Sequence, residues 1–544
     1  MKRFLKWFFG ILGGLLLVTL LVGGYLYYKY VGFGDYPSGG ALSVNQAGYD
    51  VIHYDIGVEV LMDQKAIRGS CTVTIQSLSS LDVVELDLLD LLTVDSVFIN
   101  EEPAGFLREH HKLRVPAGLR PGDISKVRVL YHGVPLEASN PPWRGGFNWS
   151  KDATGAHWIG LSCQGEGGKV WFPCKDHPSD EPDSARITVT IPENYVCASN
   201  GLLRSIDESV PGSKTFVWAT NYPINNYDLN ISIGRYSVVQ RDYKTQDGRI
   251  MPLPYYVLPE DSSRARELVD MAADMLATYR KYFGEYPFAK EKFGLVQTDY
   301  YGMEHQTINA YGNKYRFKTV AGHSYDQLML HEMGHEWWGN KVTAADWADF
   351  WIHEGLCCYA EALYHLDKTG ESGYHEYIAS LRKGVKNNKP IVLGKDISTS
   401  EAYHSDIYTK GGFLMNSLRY MMGDSLLFTV LRRFSNDSAY TYQHRVTTSD
   451  FVRLTNEVTG YNYNRFFDLF FYTTTIPDIE VKKTGGDMYS IRITNFDIDL
   501  PMDVETSKGT QRMMLSSTPV VVESTDAPVI DEAEWYLRTI RLVE

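Results

Sequence analysis

The spacing of apolar and polar residues separates a strand-rich first part of the chain from a helical second part. Between residues 44 and 238, short stretches such as "HYDIGVEVLM" and "SKVRVLYHG" alternate apolar and polar residues, and clusters of Gly, Pro and Asn separate them. Alternation of this kind buries one face of a β-strand, so we predict an all-β domain over 44–238. The preceding segment 31–43, "VGFGDYPSGGALS", is rich in glycine without periodicity and is interpreted as a linker.

From about residue 262 the period becomes helical. Apolar residues recur at helical spacing in "SSRARELVDMAADMLATYRKYFG", which ends on glycine as helices commonly do. Further helices are predicted at 324–338, 348–367, 373–386, 407–422, 425–434, 448–458 and 463–472. Strand-like segments such as "DMYSIRITNF" return after Pro477. The predicted fold is therefore multidomain α+β, with a mostly helical domain at 239–476 and a small C-terminal β-domain at 477–544.

The first 30 residues contain an uncharged stretch from Trp7 to Tyr28. A stretch of about 20 apolar residues is long enough to cross the hydrocarbon core of a bilayer. The A-x-A-like cleavage site of a secretory signal peptide is missing. We therefore predict one transmembrane signal anchor at 1–30. Because basic residues precede the stretch, the N terminus should be cytoplasmic and the rest periplasmic or extracellular, at the cell membrane.

Composition narrows the possible partners. The chain has 544 residues, of which 44% are hydrophobic, so most of it should fold, and into more than one domain. Its net charge is −14, and no long basic run follows the first residues, which argues against a nucleic-acid partner. The six cysteines show no CxxC spacing, so a thiolate zinc cluster is not supported, whereas one or two disulfides are compatible with the sequence.

The segment "SYDQLMLHEMGHEWWGN" carries residues typical of a catalytic metal site. Ser324 followed by Gln327 fits a capping box that begins a helix. On that helix His331 and His335 lie one turn apart on the same face, where two neutral imidazoles can bind one zinc ion. Glu332 lies beside them and can reach a metal-bound water without being a ligand, as a general base must.

A catalytic zinc ion needs a third protein ligand. Glu354 follows His335 by 19 residues, in the helical segment "DFWIHEGLCCYAEALYHL". An antiparallel return of this segment would bring Glu354 to the metal and leave the fourth position free for water. Two histidines and a glutamate at these spacings would seldom arise by chance. Solvated histidines on a helix would also not need the apolar residues that flank this pair, Leu328, Leu330, Trp337 and Trp338. Glu336 and His353 flank the ligands, and the sequence leaves open whether they support the ligands or are solvated.

His331-Glu332-x-x-His335, eighteen intervening residues and Glu354 resemble the gluzincin zinc aminopeptidases, relatives of aminopeptidase N and leukotriene hydrolase. The similarity continues through "HEWWGNKVTAADWADFWIHEGLCCYAE" and extends over residues 44–544, most weakly at the C-terminal end. It implies a saddle-like N-terminal β-domain, a thermolysin-like catalytic domain, a short β-domain and one Zn²⁺ per chain. The large C-terminal helical domain of longer members is expected to be absent.

The family's Gly-x-Met-Glu-Asn loop is similar to "DYYGMEHQTINAYG", in which Met303 and Glu304 match. Tyr301 stands in place of the usual first Gly, and His305 in place of the usual Asn. The resemblance implies that Met303 and Glu304 contact the substrate and that Glu304 binds its free α-amino group. The two changed neighbours should alter the shape of the side-chain pocket.

Two further segments resemble the family. In "CQGEGGKVWFPCKDHPSDE", counting back from Asp176 puts Gln164 where the family has a substrate-binding Gln or Glu, with Glu166 as a nearby alternative. In "SDIYTKGGFLMNSLRYMMGD", Tyr408 precedes x-Lys-Gly as the family's catalytic Tyr does, with Tyr403 as a weaker alternative. A phenol at this position can hydrogen-bond the oxyanion of a tetrahedral intermediate.

These residues together predict a membrane-anchored zinc metallopeptidase that removes N-terminal residues from peptides with a free amino terminus. One alternative is a zinc endopeptidase of thermolysin type, which would leave Glu304 and Gln164 without a role. Another is a catalytically silent binding protein on a gluzincin scaffold, which would have no chemical reason to keep every catalytic residue. Epoxide hydrolysis at the same zinc is a third, and nothing in the sequence demands it.

Overall fold

The computed structural model describes residues 36–543 and, before them, residues 14, 17–19 and 22–23. Most of the predicted signal anchor at 1–30 and of the linker at 31–43 therefore lies outside the described residues. Among the residues that are described, no helix has both the length and the apolar character that crossing a membrane requires.

The N-terminal region consists almost entirely of strands, as the alternating pattern predicts. A short helix, α1 (Val44–Ala47), precedes them. The strands are β1 (Tyr49–Leu61), β2 (Ala66–Ser77), β3 (Leu81–Asp87), β4 (Leu92–Ile99), β5 (Glu102–Ala104), β6 (Leu107–Glu109), β7 (Lys112–Leu119), β8 (Ile124–Gly133), β9 (Gly146–Lys151), β10 (His157–Ser162), β11 (Ser184–Pro192), β12 (Val196–Ser199), β13 (Leu202–Asp207), β14 (Ser213–Thr220) and β15 (Ile231–Gly234).

The largest sheet of this region has the order β13-β14-β11-β1-β2-β8-β4-β5. Its pairs are antiparallel apart from β1 and β11, which run parallel. A register shift between Val51 and His53 lets both Val51 and Tyr54 point into the core, although they are three residues apart. Two smaller sheets complete the region, with the orders β12-β15-β10-β9 and β3-β7-β6.

The second region combines one sheet with a set of helices. The strands are β16 (Ser237–Lys244), β17 (Ile250–Val257), β18 (Gly294–Gln297), β19 (Gly302–Met303), β20 (Ile308–Tyr311), β21 (Lys318–Val320) and β22 (His323–Tyr325). The helices are α2 (Ser262–Phe283), α3 (Gln327–His335), α4 (Trp351–Gly384), α5 (Thr399–Ala402), α6 (Thr409–Met422), α7 (Asp424–Phe434), α8 (Thr448–Thr459) and α9 (Asn464–Phe470). The sheet order is β16-β17-β18-β20-β19, and β21 and β22 form a separate hairpin.

One detail of the helical prediction was wrong. Ser324 lies in β22, and Asp326 caps α3 instead, because its carboxylate accepts a hydrogen bond from the Met329 backbone N–H at 3.0 Å. The two helices predicted at 348–367 and 373–386 correspond to the two parts of α4, which meet at a kink at Gly370, with φ +69°. The kink is where the sequence pattern indicated a break.

Strands return after the last helix, in two small sheets. The strands are β23 (Asp478–Gly485), β24 (Met488–Ile493), β25 (Leu500–Thr506), β26 (Gly509–Leu515), β27 (Val520–Glu523), β28 (Val529–Ile530) and β29 (Thr539–Val543). The sheets have the orders β27-β24-β23-β29 and β26-β25-β28. The prediction of a multidomain protein with an N-terminal β-domain and a helical domain is therefore confirmed.

The six cysteines are all buried, and each is a free thiol. The disulfides that the sequence allowed are therefore not formed in this fold. Cys357 and Cys358 are neighbours on α4, where successive side chains point in different directions around the helix axis.

Buried polar contacts join the N-terminal region to the helical domain. The Lys292 ammonium donates to the backbone carbonyls of Ser199, at 2.9 Å, and of Gly201. The Asn200 side chain donates to the Gln306 carbonyl at 2.7 Å. These bonds satisfy polar groups that are buried away from water, so they hold the two regions in one relative position. The cleft described below lies at this junction.

Candidate active site

The helix α3 carries the first two predicted metal ligands, and its position is set from both sides. Asp326 caps its first turn and also accepts hydrogen bonds from the Tyr311 hydroxyl at 2.7 Å and the Asn313 amide at 2.9 Å. The helix ends directly at His335. On the other side, Gly334 lies close to α4, since a Cβ there would come within 3.2 Å of Cys357 Sγ. The small residue thus allows the two helices to approach.

Three side chains converge between α3 and α4. The Nε2 atoms of His331 and His335 lie 3.2 Å apart. Glu354, in the first turn of α4, places Oε2 3.4 Å from His331 Nε2 and 3.3 Å from His335 Nε2. The antiparallel return predicted from the sequence therefore brings Glu354 to both imidazoles.

The hydrogen bonds on the far side of each ring determine its tautomer. His335 Nδ1 lies 3.0 Å from the Trp338 carbonyl oxygen, which can only accept, so Nδ1 carries the proton. His331 Nδ1 lies 2.9 Å from Glu361 Oε1 and donates to that carboxylate. Both Nε2 atoms consequently present lone pairs toward the same point as the Glu354 carboxylate. Lone pairs on the two Nε2 atoms and on the Glu354 oxygen repel one another at this distance unless a cation lies between them.

The arrangement fits Zn²⁺. Ligand atoms that bind zinc tetrahedrally at about 2.0–2.1 Å lie about 3.3 Å from one another. The three separations of 3.2, 3.3 and 3.4 Å agree with that spacing. Glu354 Oε2 is buried and accepts no hydrogen bond from a described residue, which is expected of an atom that binds a metal ion. Two imidazoles and one carboxylate leave a tetrahedral position open for water or substrate.

Two other groups of donor atoms also come within 4.8 Å of one another, His331 with Cys358 and Glu361, and Glu304 with Glu332 and His335. The first group uses the nitrogen of His331 that donates to Glu361. Burial also raises the pKa of the Cys358 thiol to about 12, which disfavours the thiolate that a metal ion would bind. The second group offers a single imidazole, and its Glu304 carboxylate already accepts hydrogen bonds from Gln164 and Tyr227. The set of His331, His335 and Glu354 therefore fits a metal ion best of the three.

Glu332 lies beside this site and faces the cleft without joining the three ligands. Burial raises the pKa of its carboxyl to about 8, and a nearby divalent cation acts in the opposite direction. Gly302 borders the carboxylate so closely that a Cβ there would come within 2.6 Å of Glu332 Oε1. Glu332 therefore has a fixed position in which it can exchange a proton near neutral pH.

Tyr408 reaches the same cleft from the residue that precedes α6. Its ring stacks on the His331 ring at a centroid distance of 5.9 Å, and its hydroxyl donates to the Tyr403 hydroxyl at 3.2 Å. Burial raises the pKa of the Tyr408 phenol, so the hydroxyl stays protonated and can donate. Both tyrosines line the cleft, but the contact with the His331 ring puts Tyr408 next to the metal ligands.

The predicted amino-group anchor, Glu304, also lies beside the metal site. Glu304 accepts a hydrogen bond from the Gln164 amide at 2.5 Å and another from the Tyr227 hydroxyl at 3.3 Å. The same Gln164 amide lies 3.4 Å from Glu354 Oε1. Burial raises the pKa of Glu304, so a cationic group that entered the site would favour its ionised form. Glu166, the alternative to Gln164, is buried and does not line the cleft.

These residues line a cleft of about 550 Å³, and Met303 forms part of its wall. Tyr301 lies at the cleft and stacks on Trp143 from the N-terminal region, with ring centroids 6.5 Å apart. His305 points away into the protein and is fully buried. Within the described structure neither of its ring nitrogens has a hydrogen-bond partner, and burial lowers its pKa to about 3.

Glu336 and His353 do not face the metal site. Glu336 accepts hydrogen bonds from the Thr307 backbone, the Asn309 amide and the Tyr286 hydroxyl, at 2.9 to 3.1 Å. His353 accepts a hydrogen bond from the Ala344 backbone N–H at 3.0 Å. Both residues are buried, so neither of them is solvated, and each supports the backbone around the ligands.

The sequence pattern of the peptidase family M1 domain matches residues 268–470, and that of the peptidase M1 N-terminal domain matches residues 51–227. The chain belongs to peptidase family M1. The second pattern covers the β-sheets that supply Gln164, and the first covers the metal site. Both halves of the cleft therefore come from regions that define the family.

Curated relatives of this M1 chain include leucine aminopeptidase 2 of Vanderwaltozyma polyspora, 23% identical over 76% of the chain and 65% of the relative. The puromycin-sensitive aminopeptidase of Caenorhabditis elegans is 21% identical over 76% of the chain and 45% of the relative. The chain therefore spans less than two thirds of the length of these relatives.

Two solved structures share the fold. One is a mutant of the M1 zinc metallopeptidase from Deinococcus radiodurans bound to a Tyr-Ser-Ala substrate, with a TM-score of 0.68 and 24% identity over 81% of this chain and 98% of that one. The other is aminopeptidase A of Legionella pneumophila in complex with aspartic acid, with a TM-score of 0.76 and 17% identity over 92% and 60% of the two chains.

One polar residue of the M1 site was missed from the sequence. Glu361 follows Glu354 by seven residues, which is two helical turns, so both carboxylates lie on the same face of α4. That spacing could have predicted a second acidic residue that faces the metal site. It does not say which atom the acid contacts, and the contact with His331 Nδ1 required the packing of α3 on α4.

Proposed function

We propose that this protein is a zinc-dependent aminopeptidase that removes single residues from the N terminus of peptides. The observation that carries the proposal is the buried Glu304 carboxylate, which has an oxygen within 4.8 Å of a ring nitrogen of the metal ligand His335. An α-ammonium group held by Glu304 leaves room for one residue before the scissile carbonyl reaches the metal site. The Gln164 amide lines the cleft and donates a hydrogen bond to Glu304, so it helps to position that carboxylate.

Zn²⁺ held by His331, His335 and Glu354 would lower the pKa of a coordinated water and polarise the scissile carbonyl. Glu332 accepts the proton of the attacking water and then delivers it to the leaving amine, since its pKa near neutrality serves both transfers. The Tyr408 hydroxyl donates a hydrogen bond to the carbonyl oxygen as negative charge develops there.

The direct test compares peptides that differ only at the amino group. The purified protein should release the first residue of free peptides and leave N-acetylated copies uncleaved. Glu304→Gln should lower kcat/KM for free peptides by about 10- to 100-fold, because the lost interaction is a charge-assisted hydrogen bond of about 1.5–3 kcal/mol. Cleavage of acetylated peptides at internal bonds would favour an endopeptidase of thermolysin type. Zinc binding without any turnover would favour a silent binding protein.

The location of the protein belongs to the same proposal. We infer that residues 1–30 anchor the chain in the cell membrane, with the catalytic part periplasmic or extracellular. The support is the uncharged stretch from Trp7 to Tyr28 and the three basic residues before it. Expression of the whole chain, followed by carbonate extraction and protease accessibility of a C-terminal tag, tests both statements. Release of the chain by carbonate would exclude an anchor.

A further inference from the structure

Lys318 lines the catalytic cleft with an unpaired ammonium group. It begins β21, and in the hairpin it is paired with Tyr325 of β22. The turn of that hairpin is held against α4 by the Ala321 backbone N–H, which donates to Glu376 at 3.1 Å. Within the described part of the chain, the Lys318 side chain has no hydrogen bond or ion pair, so its charge is available to a ligand.

The charge of Lys318 contrasts with the other charged side chains around it. Apart from the histidines, the remaining charged residues that line the described cleft are acids, namely Glu304, Glu332, Glu354 and Glu361. Of these, Glu354 is a metal ligand, Glu361 orients His331, and Glu304 and Glu332 have roles in the proposed function. Lys318 is therefore the cationic side chain of the described cleft that can interact with a negative group of the substrate.

The helix α3 separates Lys318 from the amino-group anchor. Its cleft-lining residues run along one face, from Gln327 at the N-terminal end to His335 at the C-terminal end. Glu304 lies near His335, whereas Lys318 is paired with Tyr325, two residues before the helix begins. Eight residues of α-helix rise by about 12 Å, so the two groups lie toward opposite ends of this face of α3.

An extended peptide of three residues spans about 10–11 Å and one of four about 13–14 Å. We propose that Lys318 binds a carboxylate on the leaving-group side of the substrate, namely the C-terminal carboxylate of a tri- or tetrapeptide. The inference rests on the proposed aminopeptidase function and narrows it to short peptides. Glu304 pairs with the positive end of such a peptide and Lys318 with its negative end, so the cleft complements a zwitterion.

The experiment uses three tripeptides with the same first two residues. One has a free C-terminal carboxylate, the second is its amide, and the third is an amide with Asp in the third position. The free acid should be cleaved with a kcat/KM about 3- to 10-fold above that of the amide, and the difference should shrink at high salt because screening weakens charge pairs in open clefts. A gain for the Asp amide alone would assign an acidic side chain to Lys318 and overturn the C-terminal assignment.

Variants of Lys318 and of the nearby Lys314 identify the group responsible. Lys318→Gln should bring the ratio of kcat/KM for acid over amide close to one, Lys318→Arg should keep a preference for the acid, and Lys318→Glu should reverse it. Lys314→Gln removes a charge just before the hairpin, outside the cleft lining, and should keep the wild-type ratio. A wild-type ratio in Lys318→Gln would overturn the inference.

Failure of the inference and failure of the proposed function are distinguishable. Turnover of a single amino-acid amide by the wild-type protein needs Glu304, the metal ligands and Glu332, but it offers no carboxylate to Lys318. A protein that cleaves this amide and shows equal kcat/KM for the tripeptide acid and its amide retains the aminopeptidase function and refutes the role of Lys318. A protein that cleaves none of the substrates refutes the function itself.

Discussion

The Glu361 carboxylate of α4 accepts a hydrogen bond from His331 Nδ1 at 2.9 Å and so directs Nε2 of that ring toward the metal site. Partners of this kind fix the tautomer of a metal-binding histidine and make its free nitrogen more basic. Glu361 is buried and not a metal ligand itself, so its effect on the metal passes through the ring.

Glu361→Gln should therefore weaken zinc binding by about 10- to 100-fold, which is the usual effect of removing such a partner. The amide oxygen can still accept from Nδ1, but the negative charge is lost. Competition with a chelator of known affinity measures the change. Glu376→Gln, which alters an exposed carboxylate on the same helix, serves as the control. Equal zinc affinity in the two variants would contradict the role of Glu361.

Glu332→Gln should retain zinc and lower kcat by about 10²- to 10⁴-fold, because the side chain keeps its size but can no longer accept a proton. Metal content by elemental analysis and steady-state kinetics on a free dipeptide check both parts. Activity close to that of the wild type with a full complement of zinc would mean that another group transfers the proton.

Tyr408→Phe should lower kcat by about 10²- to 10³-fold with little change in KM, since the hydroxyl acts on charge that develops only in the transition state. Tyr403→Phe should cost less, because Tyr403 accepts the Tyr408 hydrogen bond and does not stack on His331. Kinetics on one substrate compare the two variants. The reverse order of the two losses would make Tyr403 the residue that stabilises the oxyanion.

Gly355→Ala should both destabilise the protein and slow catalysis. A Cβ at this position would lie 2.9 Å from Gly411 Cα and from the Ile407 carbonyl oxygen, so α6 would have to move away from α4 and carry Tyr408 with it. Overpacking of this kind costs about 1–3 kcal/mol. Urea denaturation and kcat provide the measurements. Gly105→Ala, where a Cβ would meet nothing within 4 Å, is the control and should change neither.

His305→Asn should make the fold less sensitive to acid. Burial lowers the pKa of His305 to about 3, below its usual value near 6.5 in an unfolded chain. The contribution of the neutral His305 ring to the free energy of unfolding is therefore complete above pH 6.5 and is lost progressively as the pH falls toward 3. Between pH 8 and pH 5 the loss amounts to about 2 kcal/mol.

The free energy of unfolding in urea, measured at both pH values, should fall by about 2 kcal/mol less in His305→Asn than in the wild type. The exposed His110 provides a matched control, since His110→Asn removes an imidazole that lies in water. If the pH dependence is the same in His305→Asn and the wild type, His305 titrates normally in the folded protein.

Much of the architecture was predictable because it depends on local periodicity. The bounds of helices α2, α7 and α8 were predicted to within one or two residues. Each of these helices has an amphipathic repeat and a clear signal at its end. The cap of α3 was assigned to Ser324 because a Ser followed three residues later by Gln fits the capping box. Asp326 is the N-cap because the β21–β22 hairpin ends at Tyr325. Local sequence did not predict this hairpin.

The sequence by itself determined the spacing of the predicted metal ligands, because a pair of histidines four residues apart on a helix can only face the same way. It also determined that Glu332 lies beside them. Only the tertiary structure decided which distant groups meet these residues. Glu361 on His331, Gln164 on Glu304 and Lys318 in the cleft depend on how separate helices and sheets pack, and no local pattern records that packing.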